Sequence, residues 1–392
     1  MFAVAAVPLH FYFWFAITFA CIAFIAKGMS STAKGLLSII LNELYGKMRS
    51  STILREITRS IQGKPKAPKN LPHLVDFEQV SSRTYRVLGL NPGQHTLQGT
   101  NTWLITGLEG KTTEHILIDT GEDYSADEYI AQLFEKVFPR TGTTRLSKIL
   151  LTHGHDDHQG GVLKILSELK ARNMLPLPTI HKRNIVGGNF PVKGVVCEHI
   201  NDLDTFQVGD ETTLQACYTP GHTDDHVGFV LIEDHALLSG DCVLGCGTTV
   251  FDNLYEYMQS LKRIRQLIVD SNDNTKKMKM VYKNIHTIYP GHGPVIRDTA
   301  LEKIDEYIHH RELREKQILD FLARDLNTQN GHNSHIKYHP SWDIMNSMYS
   351  NLTWVIKVSA MHNVAHHLQK LQQEGKVEGK WPDQWRIVTP KK

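Results

Sequence analysis

The sequence predicts a large α/β domain followed by a small separate C-terminal domain, on three observations. A mostly apolar run, Leu146 to Leu151, soon gives way to apolar positions at i, i+3, i+4 and i+7 (Val162, Ile165, Leu166, Leu169), so a buried strand hands over to an amphipathic helix near Gly160. Three further strand-like runs, Leu214 to Thr219, Ala236 to Ser239 and His286 to Tyr289, each end in a loop with glycine beside it, where the backbone turns sharply. A polar stretch containing NTQNGHNSH then separates a helix, Leu301 to Leu326, from the C-terminal residues.

Each strand delivers a candidate ligand. The first ends in THGHDDHQGG, Thr152 to Gly161, which packs His153, His155, Asp157 and His158 into six residues. Residues two apart on an extended exit point the same way, which pairs His153 with His155. Asp157 and His158 fall at the strand-to-helix elbow. The other three runs end in TPGHTDDH, SGDC and YPGHG, presenting His222, Asp241 and His292. Any single histidine among 22 is more often an ordinary surface or core residue than a ligand. Seven donors in one repeated context are not explained that way. Imidazole with carboxylate suits zinc, iron or manganese, and the lack of nearby thiolates points away from a closed structural zinc site toward an open catalytic one. Asp225 and His226, beside His222, either support these ligands or belong to the surface.

The order HxHxDH, GH, GD, PGHG resembles the metallo-beta-lactamase superfamily. The stretches NPGQHTLQGTNTWL, LIDTGE, YTPGHTDDH, SGDCVLGCGTTVF, YPGHGPVI and HHRELREKQIL closely resemble the beta-lactamase-like protein 2 family, metal-dependent endoribonucleases of mitochondria, over roughly Ser82 to Ile387. The resemblance implies an αβ/βα sandwich of two sheets with helices outside. It implies two divalent ions, with zinc expected: His153, His155 and His222 on the first, Asp157, His158 and His292 on the second, and Asp241 bridging them. The nucleophile is then a metal-bound hydroxide, with Asp157 also orienting water and Asp241 counted with it as catalytic. Family members commonly carry an aromatic between the first two histidines and a basic or neutral residue before the aspartate. Gly154 and Asp156 depart from that pattern and put the floor of the substrate groove in question.

Composition agrees with one large domain plus attachments: 392 residues, 41% hydrophobic. The five cysteines, Cys21, Cys197, Cys217, Cys242 and Cys246, form no paired framework and read as reduced thiols, with Cys242 and Cys246 as packing residues rather than zinc ligands. Nine Lys and Arg stand against two Glu between Lys27 and Lys69, which leaves 34 basic and 39 acidic side chains elsewhere, so a polyanion would meet the metals and the C-terminal end rather than the whole surface.

The chain is therefore expected to divide into a hydrophobic N-terminal segment (1–28), a basic linker or targeting region (29–75), the catalytic domain (76–325) and a winged-helix-like domain (335–390). In the last, the helix Val358 to Glu374, Gly375, a Lys-Val-Glu turn and Trp385 to Val388 either lay a helix and basic wing on nucleic acid or close as a cap over the active site. Phe2 to Ala26 carries no Asp, Glu, Lys or Arg and is long enough to span a bilayer as a transmembrane anchor. If translation starts at Met29, the segment after it reads instead as a mitochondrial transit region, and location in the matrix or inner membrane is what the resemblance implies.

The expected function is hydrolysis of single-stranded RNA by an endoribonuclease with no nucleotide cofactor. The alternative is a thioesterase or lactonase acting on small acyl substrates, since fungal polyketide thioesterases share much of the motif set. About 50 residues separate Asp241 from His292, too few for the inserted domain of the RNA-processing and DNA-repair nuclease branch.

Overall fold

The computed structural model describes residues 29–35, 37, 66–107, 113–183, 195–272, 284–324, 337–351 and 354–388. The described residues form two compact units, one within Pro65–His309 and one that includes His310–Lys392.

The first unit is built on two sheets. One has seven strands in sequential order: β1 (Phe77–Gln79), β2 (Thr84–Leu88), β3 (Asn101–Ile105), β4 (Glu114–Ile118), β5 (Arg145–Leu151), β6 (Thr179–Lys182) and β7 (Cys197–His199). Pairing is antiparallel from β1 to β4 and parallel from β4 to β7. The other has five, in order β12-β11-β10-β9-β8: β8 (Thr205–Gln207), β9 (Thr213–Tyr218), β10 (Val227–Leu231), β11 (Ala236–Gly240) and β12 (Thr287–Pro290). Here only β11 and β12 run parallel.

The period-2 alternation of side chains explains the layering. Along β4, Ile116 and Ile118 join the core between the sheets while Leu117 joins the core on the other face. Along β10, Val227, Phe229 and Leu231 face the first sheet and Val230 faces away. Strands apolar on both faces must be covered on both. The first sheet's outer core holds Leu133, from the run continuing α1 (Ala126–Gln132), and Val162, Ile165 and Leu169 of α4 (Val162–Ala171). Between these lie the short helices α2 (Phe138–Thr141) and α3 (Asp156–Gln159). The second sheet's outer core holds Leu254, Met258, Leu261, Ile264 and Ile268 of α5 (Leu254–Asn272), with Ile304 and Tyr307 of α6 (Ala300–Leu322). This is the αβ/βα sandwich. Phe229 is fully buried in the core between the sheets, beside Phe206 of its own sheet: Phe229→Ala is expected to cost about 3–5 kcal/mol, read as a lower denaturation midpoint with an unchanged m-value.

The second unit is a winged helix. The last part of α6, α7 (Ser341–Met348), α8 (Trp354–Gln373) and the hairpin β13 (Val377–Lys380) with β14 (Gln384–Ile387) enclose a small core of Ile318, Leu322, Ile344, Met345, Met361, Val364, Leu368, Leu371 and Val377. α8 ends at Gly375, whose φ of 69° gives the left-handed turn that stops the helix. The Lys-Val-Glu segment expected as the turn is the start of β13; the turn is Trp381–Asp383, fixed by Asp383, which accepts from the Ser341 hydroxyl at 2.7 Å and the Trp385 indole at 2.9 Å. The strand was hidden because Gly379 and charged residues break its apolar alternation. The expected membrane segment, residues 2–26, lies outside the described residues. Among the described residues no helix is long and apolar enough to cross a membrane.

Candidate metal centre

All seven predicted ligands converge at one end of the two sheets, which are stitched together there. Asn101 donates its backbone N–H to Gly291 at 2.7 Å, and Val227 donates to Thr152 at 2.8 Å. The ligand atoms fall into two sets, His153, His155, His222 and Asp241, and Asp157, His158 and His292. The elbow after β5 is itself one helical turn, α3, so Asp157 and His158 sit on a helix that begins earlier than the apolar period suggested. Glycine is required where the loops meet: a Cβ at Gly291 would stand 2.2 Å from Asp241 Oδ1.

In the first set, His155 Nδ1 lies 2.9 Å from His153 Nε2 and 3.0 Å from His222 Nε2, and the latter two are 3.3 Å apart. Nitrogens held at 2.0–2.1 Å by one tetrahedral zinc lie roughly 3.3 Å from one another. In the second set, His292 Nε2 is 3.2 Å from Asp157 Oδ2 and 3.3 Å from His158 Nε2. Asp241 stands between them, 3.6 Å from His222 Nε2, 3.4 Å from His158 Nε2 and 3.3 Å from His292 Nε2. Its Oδ1 is buried and accepts no hydrogen bond.

The outer nitrogens of the rings fix their tautomers. His222 Nδ1 donates to the Val250 carbonyl at 2.7 Å, and His292 Nδ1 to the Gly99 carbonyl at 3.4 Å. His158 Nδ1 donates to Asp119 Oδ2 at 2.7 Å. The Thr152 hydroxyl donates to Asp119 Oδ2 at 2.9 Å and so accepts from His153 Nδ1 at 3.0 Å. In each case Nε2 faces inward. Four ring nitrogens converging on one another and on carboxylates need cations between them, whether protons or metal, so the donor set fits two divalent ions.

Electrostatics distinguish the sets. Burial keeps the His153 imidazole well below its usual range, helped by His158 and His155, and burial likewise lowers His222. Burial opposes charge on His292 too, but Asp241 and Asp157 lift it to about 9, and with Asp119 they lift His158 well above its ordinary value. Burial also disfavours ionised Asp157 and Asp241, yet His158 and His292 hold both well below the carboxylate range. Protons thus compete with metal far more strongly in the second set. On acidification from pH 8 to pH 5, loading should fall from two ions to one before the last is lost, as elemental analysis after dialysis at each pH would show; simultaneous loss would contradict the assignment.

Of the flanking pair, His226 meets the ligands indirectly: its Nε2 accepts the Asp241 backbone N–H at 3.0 Å, its Nδ1 lies 2.8 Å from the Thr219 hydroxyl, and burial lowers it to about 3. Asp225 does not join the cluster and pairs with Lys182. Sequence reasoning missed Asp119, held at φ 60° just past β4. The signal lay in LIDTGE, where an acid ends an apolar strand just as the ligands do. Cys242 is a buried core residue and Cys246 is also free.

The sequence profile of the metallo-beta-lactamase superfamily matches residues 95–292, and that of the beta-lactamase associated winged helix domain matches 341–385. A beta-lactamase-like protein 2 homolog of Caenorhabditis elegans is 38% identical over 310 residues, 79% of this chain and 90% of that protein; one from Drosophila melanogaster is 34% identical over 76% and 91%. An atrochrysone carboxyl ACP thioesterase of Aspergillus fumigatus is 36% identical over 64% of this chain and 68% of its own. Among solved structures, a beta-lactamase domain protein from Burkholderia ambifaria superposes with a TM-score of 0.58 at 16% identity, covering 84% of this chain and 99% of its own, which shows the shared fold. The chain belongs to the metallo-beta-lactamase superfamily, in the family of the beta-lactamase-like protein 2 homologs.

Proposed function

We propose that this protein is a dimetal endoribonuclease that cuts single-stranded RNA. The observation that carries the hydrolytic reading is the pair of adjoining donor sets sharing Asp241. The substrate reading rests on likeness to the beta-lactamase-like protein 2 homologs along nearly their whole length, with a winged helix included. His153, His155 and His222 would hold one ion, and Asp157, His158 and His292 the other, with Asp241 between. When bound, the ions, zinc on this donor set, supply a water ionised near neutral pH and a Lewis acid for the scissile bond. The protein's part is to turn each Nε2 inward through Asp119, Thr152, Val250 and Gly99, and to keep Asp157 and Asp241 ionised so that Asp157 can orient water. The helix α8 and hairpin β13–β14 are assigned to RNA binding. We place the protein in mitochondria, with any membrane attachment through residues 2–26.

The thioesterase relative favours a second reading, hydrolysis of thioesters or lactones on the same site. Incubation of the purified protein with end-labelled single-stranded RNA, and separately with a thioester and lactone panel, decides between them. Internal cleavage of RNA that a chelator abolishes is expected; acyl hydrolysis with intact RNA would reverse the assignment.

A further inference from the structure

A buried ion pair crosses between the sheets directly beneath the ligand loops. Lys182 ends β6 and pairs in register with Leu151 of β5, one residue before Thr152 and the histidine run. Its ammonium donates to Asp225 Oδ2, and the Thr223 hydroxyl donates to Asp225 Oδ1 at 2.7 Å, so the carboxylate is tied on both oxygens. Asp225 lies three residues after His222, in the β9–β10 loop of the other sheet. The side chains of Lys182 and Asp225 are only 7% and 9% exposed. Next door, the Arg183 guanidinium stacks 3.6 Å over the Tyr218 ring, whose hydroxyl donates to the Asp224 carbonyl at 2.9 Å, adding a second tie to that loop.

The pair occupies the space under Gly154. A Cβ there would stand 3.0 Å from Asp225 Oδ2 and 3.4 Å from Lys182 Nζ. Glycine between His153 and His155 therefore lets the loop settle onto the ion pair. Burying such a pair is a poor way to gain stability, since desolvation offsets the attraction and an apolar replacement of both partners is often neutral. Its placement, joining the strand beside His153 to the loop that carries His222, points to a different role.

We propose that Lys182 and Asp225 are positioning residues that hold the His222 loop against the His153–Gly154–His155 loop, setting the geometry of the first donor set. This rests on the dimetal reading above. Outer contacts of this kind change metal affinity by about 10–100-fold. The test is chelator competition on the full-length protein loaded with zinc, alongside the visible spectrum of the cobalt-loaded form. Lys182→Met leaves Asp225 buried and unpaired, which by itself weakens the fold; the double change Lys182→Met with Asp225→Leu removes that penalty. Gly154→Val, which truncates nothing, presses on the same pair.

The double variant is expected to keep near wild-type thermal stability while one of its two ions binds about tenfold or more weakly with an altered cobalt spectrum. Gly154→Val should weaken the same ion. Wild-type affinity and spectrum in either variant would overturn the positioning role. A wild-type protein that binds fewer than two divalent ions would instead overturn the dimetal reading itself.

Discussion

Asp241→Ala is expected to release both metal ions together and to lower hydrolytic turnover by about 10³-fold or more, on the order of 4 kcal/mol of barrier. Asp241 lies within reach of both sets, 3.6 Å from His222 and 3.3–3.4 Å from His292 and His158. Its loss removes a ligand from each set and the leading positive influence on His158 and His292, whose imidazoles would then be less ready to hold a cation. Ligand variants confined to one set, such as His222→Ala and Asp157→Ala, should by contrast lower mainly one occupancy. Elemental analysis beside a chelator titration separates these patterns. Retention of one ion at full occupancy in Asp241→Ala would remove its bridging place.

Asp119→Asn is the second large effect expected. The carboxylate is buried, accepts the Thr152 backbone N–H at 2.9 Å and the Thr152 hydroxyl, and accepts from His158 Nδ1. An amide of the same shape can turn its NH2 toward His158, which forces the proton onto Nε2 and turns a metal-facing lone pair into an N–H. Metal affinity of the Asp157, His158 and His292 set should fall about 10–100-fold, while thermal stability changes little because the packing volume is kept. Wild-type affinity with intact folding would show that Asp119 serves the fold alone.

The ligands were legible in the sequence because each follows an apolar strand and sits beside glycine, and that pattern survives without knowing which strands neighbour one another. The strands themselves fall within a residue or two of their expected bounds: the run Leu146 to Leu151 is β5, Arg145–Leu151, and the run Ala236 to Ser239 is β11, Ala236–Gly240. The side chains that support the ligands were less legible. Asp119 lies far from His158 in sequence and meets it only because β4 and β5 pair in parallel. The Lys182–Asp225 pair joins two sheets whose packing no local period encodes. Asp225 and His226 are sequence neighbours with different tasks, one turned toward Lys182 and the other toward the Asp241 backbone. The wing was misplaced for the opposite reason: Val377–Lys380 has a single buried apolar anchor, Val377, too little for a strand to announce itself.

Two divalent ions per chain, in adjoining donor sets that share Asp241, are the feature on which the hydrolytic reading depends. Elemental analysis of the purified, zinc-reconstituted protein near pH 8 tests it most directly. Close to two ions per chain are expected in the wild type and well under one in Asp241→Ala. A wild type that saturates at one ion per chain, or an Asp241→Ala protein that retains two, would contradict it.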